Sequence, residues 1–328
     1  MINKDLQLNE FLFSSGVTNI ATRDGYGEGL LSLAQENENI VVLTADLAES
    51  TRVDKFEEKY PDRFFECGIS EQNMVAVAAG LGVTGKRVFT SSYATFSPGK
   101  NWETIRTTVC YNDSDVKIAG HHAGIMTAQD GATHQATEDI ALVRCLPNMK
   151  VFVPADYFEA IRITEYVGKI YGPAYIRFSR EKTPVITTEK TPFEPGENFS
   201  YWVSDKPECI IFATGYLLYF SLLAAKKLKE EGIEVEVVNV SSIKPINEEN
   251  IVNKVKDVRK VVTVEDHQVA GGMGSMISEI LSKECPSQIS FMGLQDRFGE
   301  SGKSFELVSK FGLDDVGIKN TVLNLLKK

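Results

Sequence analysis

One carboxylate stands where a carboxylate is costly. Glu71 lies in the run CGISEQN (67–73), just ahead of an alanine- and glycine-rich stretch. A helix over 71–81 with small residues on all sides is expected to be buried, and a buried helix onset disfavours a charge unless something needs it. Two readings fit. A first-turn glutamate is stabilised by the helix dipole and by the free N–H groups there. Alternatively, a shielded carboxylate hydrogen-bonds a ring nitrogen of a cofactor. A second segment, HHAGIMTAQDGATHQ (121–135), holds three of the chain's four histidines. His121, His122 and His134 match no recurrent zinc spacing. They suit acid–base work or anion binding better, beside the default of structural histidines. Gly124, Asp130 and Gly131 describe a shaped loop rather than a regular element. In SYATFSPGK (92–100), Tyr93 and Phe96 stand three apart beside a Ser-Pro-Gly turn, a spacing that suits core packing or a stacking platform. The glycines of AGGMGS (270–275) fit a tight strand-to-helix turn better than a phosphate loop, because neither the P-loop lysine nor GxGxxG is present. No GxSxG supports serine hydrolysis.

Elements must place these groups. A length of 328 residues predicts two domains. Apolar runs ending in polar residues alternate with helical stretches: IVVLTAD (40–46), Val88–Thr90, VKIAG (116–120), KVFVPAD (150–156) and AYIRFS (174–179). Strands without polar alternation indicate a mostly parallel sheet covered on both faces. Asp46, Ser91, His121, Asp156 and Arg180 then fall near its carboxyl edge, where open α/β sheets bind ligands. Thr22 or Asp24 is expected to cap a helix through Leu30 and Leu33, and 52–59, 100–112 and 135–144 read as helices. The reading divides the chain into an α/β domain over 1–185 with an N-terminal arm over 1–15, a linker over 186–206, and a second α/β domain over 207–328.

Composition narrows the function classes. A formal net charge of -10 argues against gripping nucleic acid or an anionic membrane, though local arginines can still hold small anions. The five cysteines are far apart, odd in number and without a CxxC pair, which fits reduced thiols in a cytoplasmic protein. The N-terminus carries no signal-peptide pattern, and no apolar stretch is long enough for a membrane span.

Together, several runs resemble the transketolase family over nearly the whole chain: IATRDGYGEGL (20–30), TADLAES (44–50), CGISEQN, SYATF (92–96), HAGIMTAQDGATHQ (122–135), LPNMKVFVPAD (146–156), IRFSR (176–180) and EDHQVAGGMGS (265–275). The resemblance is to the pyrimidine-binding domain plus the C-terminal domain. It implies that Glu71 bonds N1′ of the thiamine diphosphate aminopyrimidine, that Phe96 stacks on that ring, and that Tyr93 lies near it. It implies that His122 contacts substrate carbonyl and hydroxyl oxygens and moves protons, and that Asp130 contacts a sugar hydroxyl. His134, Arg23, Ser50 and Arg180 match the groups that hold the phosphate end of a sugar phosphate, and Asp46 a carboxylate near the cofactor and the subunit contact.

The family's diphosphate and Mg2+ signature, GDG followed by Asn, is not found. The DGYGEG run (24–29) is not that motif, since it starts a helix and has no strand expected before it. The resemblance therefore implies one subunit of a split transketolase, inactive alone, whose partner is a separate diphosphate-binding subunit that also binds the Mg2+. An α2β2 assembly is expected, with a homodimer when the chain is alone. Related families differ in the same runs. The deoxyxylulose-phosphate synthases carry an arginine where this chain has His122, and 2-oxo acid dehydrogenase β subunits lack the combination of Asp130 and THQ (133–135) with IRFSR (176–180). A non-catalytic relative has no reason to keep Glu71, Phe96, His122, Asp130 and His134 together.

Overall fold

The computed structural model describes residues 1–327. Its strands are β1 (Asn19–Ala21), β2 (Ile40–Thr44), β3 (Phe64–Glu66), β4 (Arg87–Tyr93), β5 (Val116–His121), β6 (Lys150–Phe152), β7 (Ala174–Arg177), β8 (Lys182–Pro184), β9 (Ser200–Trp202), β10 (Cys209–Ala213), β11 (Val235–Asn239), β12 (Ser242–Lys244), β13 (Lys260–Gln268) and β14 (Gln288–Leu294). The first sheet runs β12-β6-β7-β5-β4-β2-β3 and is parallel except for β12. The second runs β14-β13-β10-β11-β9 and is parallel except for β9. This is the expected pair of α/β sheets, each with an antiparallel edge.

Side-chain alternation along β2 explains the layering. Val41 and Leu43 join the core cluster that contains Met74, Val75 and Ala78 of helix Glu71–Val83, whereas Ile40 and Val42 face Leu30, Leu33, Ile163 and Val167. Both faces of the sheet are covered, so β2, β5 and β7 are buried at every position. Helix Thr22–Glu36 lies tight against helix Tyr157–Lys169. A Cβ at Gly25 would come within 2.3 Å of the Tyr157 carbonyl oxygen. The glycines of DGYGEG thus serve helix packing.

Several expectations are corrected. A short strand, β1, does precede DGYGEG, but it pairs antiparallel with β8 in a ribbon outside the main sheet. Neither Thr22 nor Asp24 caps that helix: the Thr22 hydroxyl contacts Ser179 and Asp24 pairs with Arg52. Helix Glu71–Val83 is buried on one side only, leaving Gln72, Asn73, Ala76, Val77, Gly80 and Val83 exposed. Small residues on every face hid which face packs. Residues 135–138 are not helical; the helix is Asp139–Arg144. Within 100–112, a single α turn at Trp102–Thr104 passes into a wider π turn at Ile105–Cys110. Ser91 lies inside β4, not after it, and its hydroxyl meets the Tyr26 hydroxyl at 2.7 Å.

The division into domains is also less clean than composition suggests. Residues 200–202 of the expected linker form β9 of the second sheet. Strand β12, from the second domain, closes the edge of the first sheet against β6. The N-terminal arm packs on the second domain, where Leu6 and Leu12 are buried and Ile2 bridges to Trp202. No helix among the described residues is long and apolar enough to cross a membrane.

A buried polar joint holds the domains together. Arg177 Nε donates to Asp139 Oδ2 at 2.8 Å, and Tyr175 donates its hydroxyl to the same oxygen at 2.6 Å. Arg177 also donates to the Asp266 carbonyl across the domain boundary at 2.7 Å. Burial opposes the guanidinium charge, but the Asp139 carboxylate outweighs it, so the Arg177 pKa is raised. Arg177→Met should leave Asp139 buried and unpaired, losing about 3–5 kcal/mol of stability. Urea unfolding followed by circular dichroism would measure this, and a loss below about 1 kcal/mol would contradict the role assigned to the joint.

Candidate active site

The chemistry-bearing residues gather at the carboxyl edge of the first sheet. Arg23, in the first turn of helix Thr22–Glu36, donates from Nη1 to the Ser50 carbonyl at 2.8 Å and to His122 Nε2 at 3.1 Å. A guanidinium only donates, so Nε2 accepts and the His122 proton sits on Nδ1. That Nδ1–H, like Arg23 Nε, is buried with no partner among the described residues. Two buried, unpaired donors beside one another mark a place where an oxygen-rich ligand would remove a desolvation cost.

Aromatic rings line the same place. The His122 ring lies 4.0 Å from Tyr93 between centroids, tilted by 34°. Tyr93 and Phe96 are nearly parallel at 14°, 5.9 Å apart. His134 meets Phe96 edge-on at 5.6 Å. Arg180, just past β7, donates to Asp130 Oδ1 at 3.1 Å and to the Thr127 carbonyl at 3.0 Å. Arg23, Ser50, Tyr93, Phe96, His122, Asp130, His134 and Arg180 are thus linked by recorded contacts, in one group around His122 and Tyr93 and a second around the 122–134 loop.

The loop itself is strained and braced. His122 (φ 51°) and Ala128 (φ 60°) are left-handed without being glycine, a cost found where the surroundings over-determine the backbone. The Thr127 hydroxyl donates to the His122 carbonyl. From the second domain, Asp266 Oδ1 accepts the Ile125 N–H at 3.0 Å, and Tyr216 donates to Asp266 Oδ2 at 2.9 Å. Gly124 is the residue that permits this approach. Its φ is 75°, and a Cβ there would fall 2.0 Å from Asp266 Oδ2. The glycine turn at 271–274 does as expected: Glu265 accepts the Met273 and Gly274 N–H groups at 2.7 and 2.8 Å. Burial nevertheless pushes the Glu265 carboxyl up to about 7.

Glu71 has a different setting. It opens helix Glu71–Val83 with its side chain 3% exposed. No capping bond to the helix N–H groups is recorded. Instead its Oε2 meets Lys100 Nζ at 3.0 Å, and its carbonyl accepts from Asn101 Nδ2 at 3.0 Å. These bonds tie Glu71 to the turn that carries Tyr93 and Phe96. Asp46 stands apart: it is exposed, and its N–H donates to Glu66 Oε1 at 2.8 Å.

Sequence reasoning passed over four groups. Lys100 ends the SYATFSPGK run, but a cation in a turn carries no pattern of its own. Arg52, two residues past Ser50, is held by Asp24 at 2.7 Å. Glu66, one residue before CGISEQN, accepts the Asp46 and Gly68 N–H groups and shapes that turn. Asp266 lies within EDHQVAGGMGS (265–275), yet nothing local links it to Ile125. His121, by contrast, is a core residue. It is fully buried between Phe178 at 4.9 Å and Tyr26 at 5.0 Å.

Two α/β domains with mostly parallel sheets thus bring a buried carboxylate, two near-parallel aromatic rings and an arginine-bound histidine to one sheet edge, the layout of a two-domain α/β enzyme. Residues 18–185 match the family described as "Transketolase, pyrimidine binding domain", and residues 201–318 "Transketolase, C-terminal domain". The chain is similar to a putative transketolase C-terminal section of Methanocaldococcus jannaschii, 43% identical over 309 residues, covering 93% of this chain and 96% of that one. It is 35% identical over 291 residues to a 6-deoxy-6-sulfo-D-fructose transketolase subunit of a Clostridium species, covering 89% and 90%. A solved structure described as a split gene transketolase, inactive β4 tetramer, superposes with a TM-score of 0.87 at 43% identity, covering 94% of this chain and 99% of that one. The chain belongs to the transketolase family, as the C-terminal section of its two-chain form.

Burial, then the charges of Arg23 and Arg180, push the His122 imidazole down to about 3. Its ring is therefore neutral near pH 7. An unfolded histidine takes a proton near pH 6.5, so acid favours the unfolded chain as pH falls from about 6.5 towards 3. In NMR titrations the His122 ring proton should not move between pH 5 and 9, while Arg23→Met should raise its midpoint. A wild-type midpoint near 6.5 would contradict the geometry.

Proposed function

We propose that this chain supplies the pyrimidine half of a shared thiamine diphosphate site, in a transketolase that moves a two-carbon ketol unit from a ketose to an aldose. The observation that carries the reading is the Glu71 carboxylate, buried at a helix start, uncommitted to capping, and tied to the turn bearing Phe96 and Tyr93. The diphosphate and Mg2+ would be held by a separate subunit, since the GDG-and-Asn signature is not in this sequence. When bound, thiamine diphosphate supplies the carbon that carries the ketol unit.

The chain's own residues then have distinct tasks. Glu71 holds or gives the proton at N1′ of the aminopyrimidine, and Phe96, with Tyr93 behind it, offers a flat face to that ring. His122, neutral and with its proton on Nδ1, presents a donor to a substrate oxygen as charge develops there. Its Nε2 is reserved by Arg23, so proton movement through Nδ1 is the route open to it. Asp130 selects a hydroxyl by a hydrogen bond whose loss is costly. Arg23, Arg180, His134 and the Ser50 segment form the anion-holding end, which suits a sugar phosphate. Asp46 serves the rim of the site, where the partner chain arrives.

Assembly follows from the exposed side of helix Glu71–Val83. Val77 (41% exposed) and Val83 (65%) lie on it, and Ile69 (75%) and Phe65 (40%) are nearby. An apolar face next to a half-built site suits burial by another subunit, giving α2β2 with the partner and a homodimer without it.

The isolated chain should show no ketol transfer, as the description of its 43% identical structural relative as inactive suggests, and mixing with the diphosphate-binding subunit should restore turnover. A coupled assay over phosphorylated, sulfonated and unmodified ketoses tests this; full activity from the chain alone would defeat it. In the reconstituted pair, Glu71→Gln should slow C2–H exchange of bound thiamine diphosphate by about 10²–10⁴. His122→Ala should leave that exchange near wild type and depress transfer. Wild-type exchange in Glu71→Gln would return Glu71 to a structural role.

A further inference from the structure

Among the described residues Lys100 is the one charged partner of Glu71, and the two ends of the pair are unlike. The Glu71 side chain is 3% exposed, whereas that of Lys100 is 51% exposed. A carboxylate in the first setting needs a partner, because an unpaired buried charge is strongly destabilising. An ammonium in the second setting does not, since it can turn to water on its four-carbon stem. The other bonds in this corner come from groups held in place. Lys100 is anchored at its backbone N–H, which donates to the Phe96 carbonyl at 3.1 Å. Asn101 Nδ2 donates to the Glu71 carbonyl at 3.0 Å and contacts Ser97 Oγ at 3.3 Å. Phe96 and Glu71 are thereby held at fixed places, and the Lys100 side chain is the movable member between solvent and the carboxylate.

We propose that Lys100 is a stand-in for the cofactor's aminopyrimidine: in the cofactor-free chain its ammonium keeps the Glu71 carboxylate paired and aimed, and it withdraws to solvent when a ring nitrogen takes that oxygen. This rests on the reading of Glu71 given above and adds a positioning residue to it. The pair solves a problem particular to a subunit that exists without its cofactor-binding partner. The pyrimidine side must persist with its acid side chain buried and its ligand missing. A countercharge with one end in water achieves this at little cost in reversibility, because an exposed ammonium is rehydrated as it leaves. It also makes cofactor binding a competition. Apparent affinity is reduced by the fraction of molecules in which Lys100 holds Glu71.

Two measurements test this. In the isolated chain, Lys100→Met should lower Tm by about 2–6 °C, the range expected when a buried carboxylate loses its partner in a protein of this size. The same change in a Glu71→Gln background should shift Tm by much less. An equal shift in both backgrounds, or none in either, would overturn the countercharge. In the pair reconstituted with the diphosphate-binding subunit, thiamine diphosphate with Mg2+ is titrated calorimetrically. Lys100→Met should bind the cofactor about 2- to 10-fold more tightly than wild type, corresponding to a competent fraction of about one half to one tenth. A merely structural lysine, or one that helps hold the bound ring, would give unchanged or weaker binding, and either result overturns the stand-in. Glu71→Gln in the same titration separates the two readings. Wild-type affinity and wild-type C2–H exchange in that variant would remove Glu71 from the cofactor site, and Lys100→Met would then change Tm without tightening the cofactor.

Discussion

The buried carboxylate of Asp266 is the point on which the candidate site depends. It comes from the second domain and accepts the Ile125 N–H, while its own carbonyl accepts from Arg177 of the first. Burial raises its pKa, against the pull of Arg177, the Ile125 N–H and the Tyr216 hydroxyl. Those three groups, drawn from both domains, compensate a carboxylate that is almost fully buried. The same bonds hold the backbone that carries His122 in its left-handed conformation. Removing the second domain would take away a brace of the loop as well as a neighbour of the sheet.

Electrostatics at the site follow from which charges are matched. Asp139 answers Arg177, Asp130 answers Arg180 and Asp24 answers Arg52. Arg23 is the exception: among the described residues its partners are a carbonyl and a neutral ring. Burial and the nearby Arg52 lower its pKa. An anionic group arriving beside Arg23 would meet a cation that no side-chain carboxylate has neutralised, within a chain whose net charge is -10. Local arrangement, rather than overall charge, therefore sets the field that a small anion would meet there.

Much of this was legible along the chain because the informative signals are local. Apolar runs ending in polar residues located β2, β5, β6 and β7, and glycines flanking Asp130 announced an irregular loop. Glu71 and the Tyr93–Phe96 pair stood out by residue type and spacing. What escaped depended on contacts between distant segments. The partnership of Glu71 with Lys100 joins a helix start to the end of a turn, and that of Gly124 with Asp266 joins two domains. The exposed side of helix Glu71–Val83 could not be read from alanine and glycine, which suit a core and a close subunit contact equally well. Strand β1 was missed because three residues hold no periodicity, and β12 because nothing in Ser242–Lys244 tells which sheet it will join.

Strand β12 has a consequence for how the protein can be taken apart. The polypeptide leaves the first sheet at β7, builds much of the second, and then returns to complete the first along β6 before resuming the second. The two halves are laced rather than strung. A break between residues 185 and 200 would separate the sequence into its two family regions without separating the architecture, since β6 would lose its outer neighbour and present an unpaired edge. Covalent modularity and structural modularity therefore part company in this chain. An exchange of the C-terminal region with that of a relative would replace the border of the first sheet as well as the second domain.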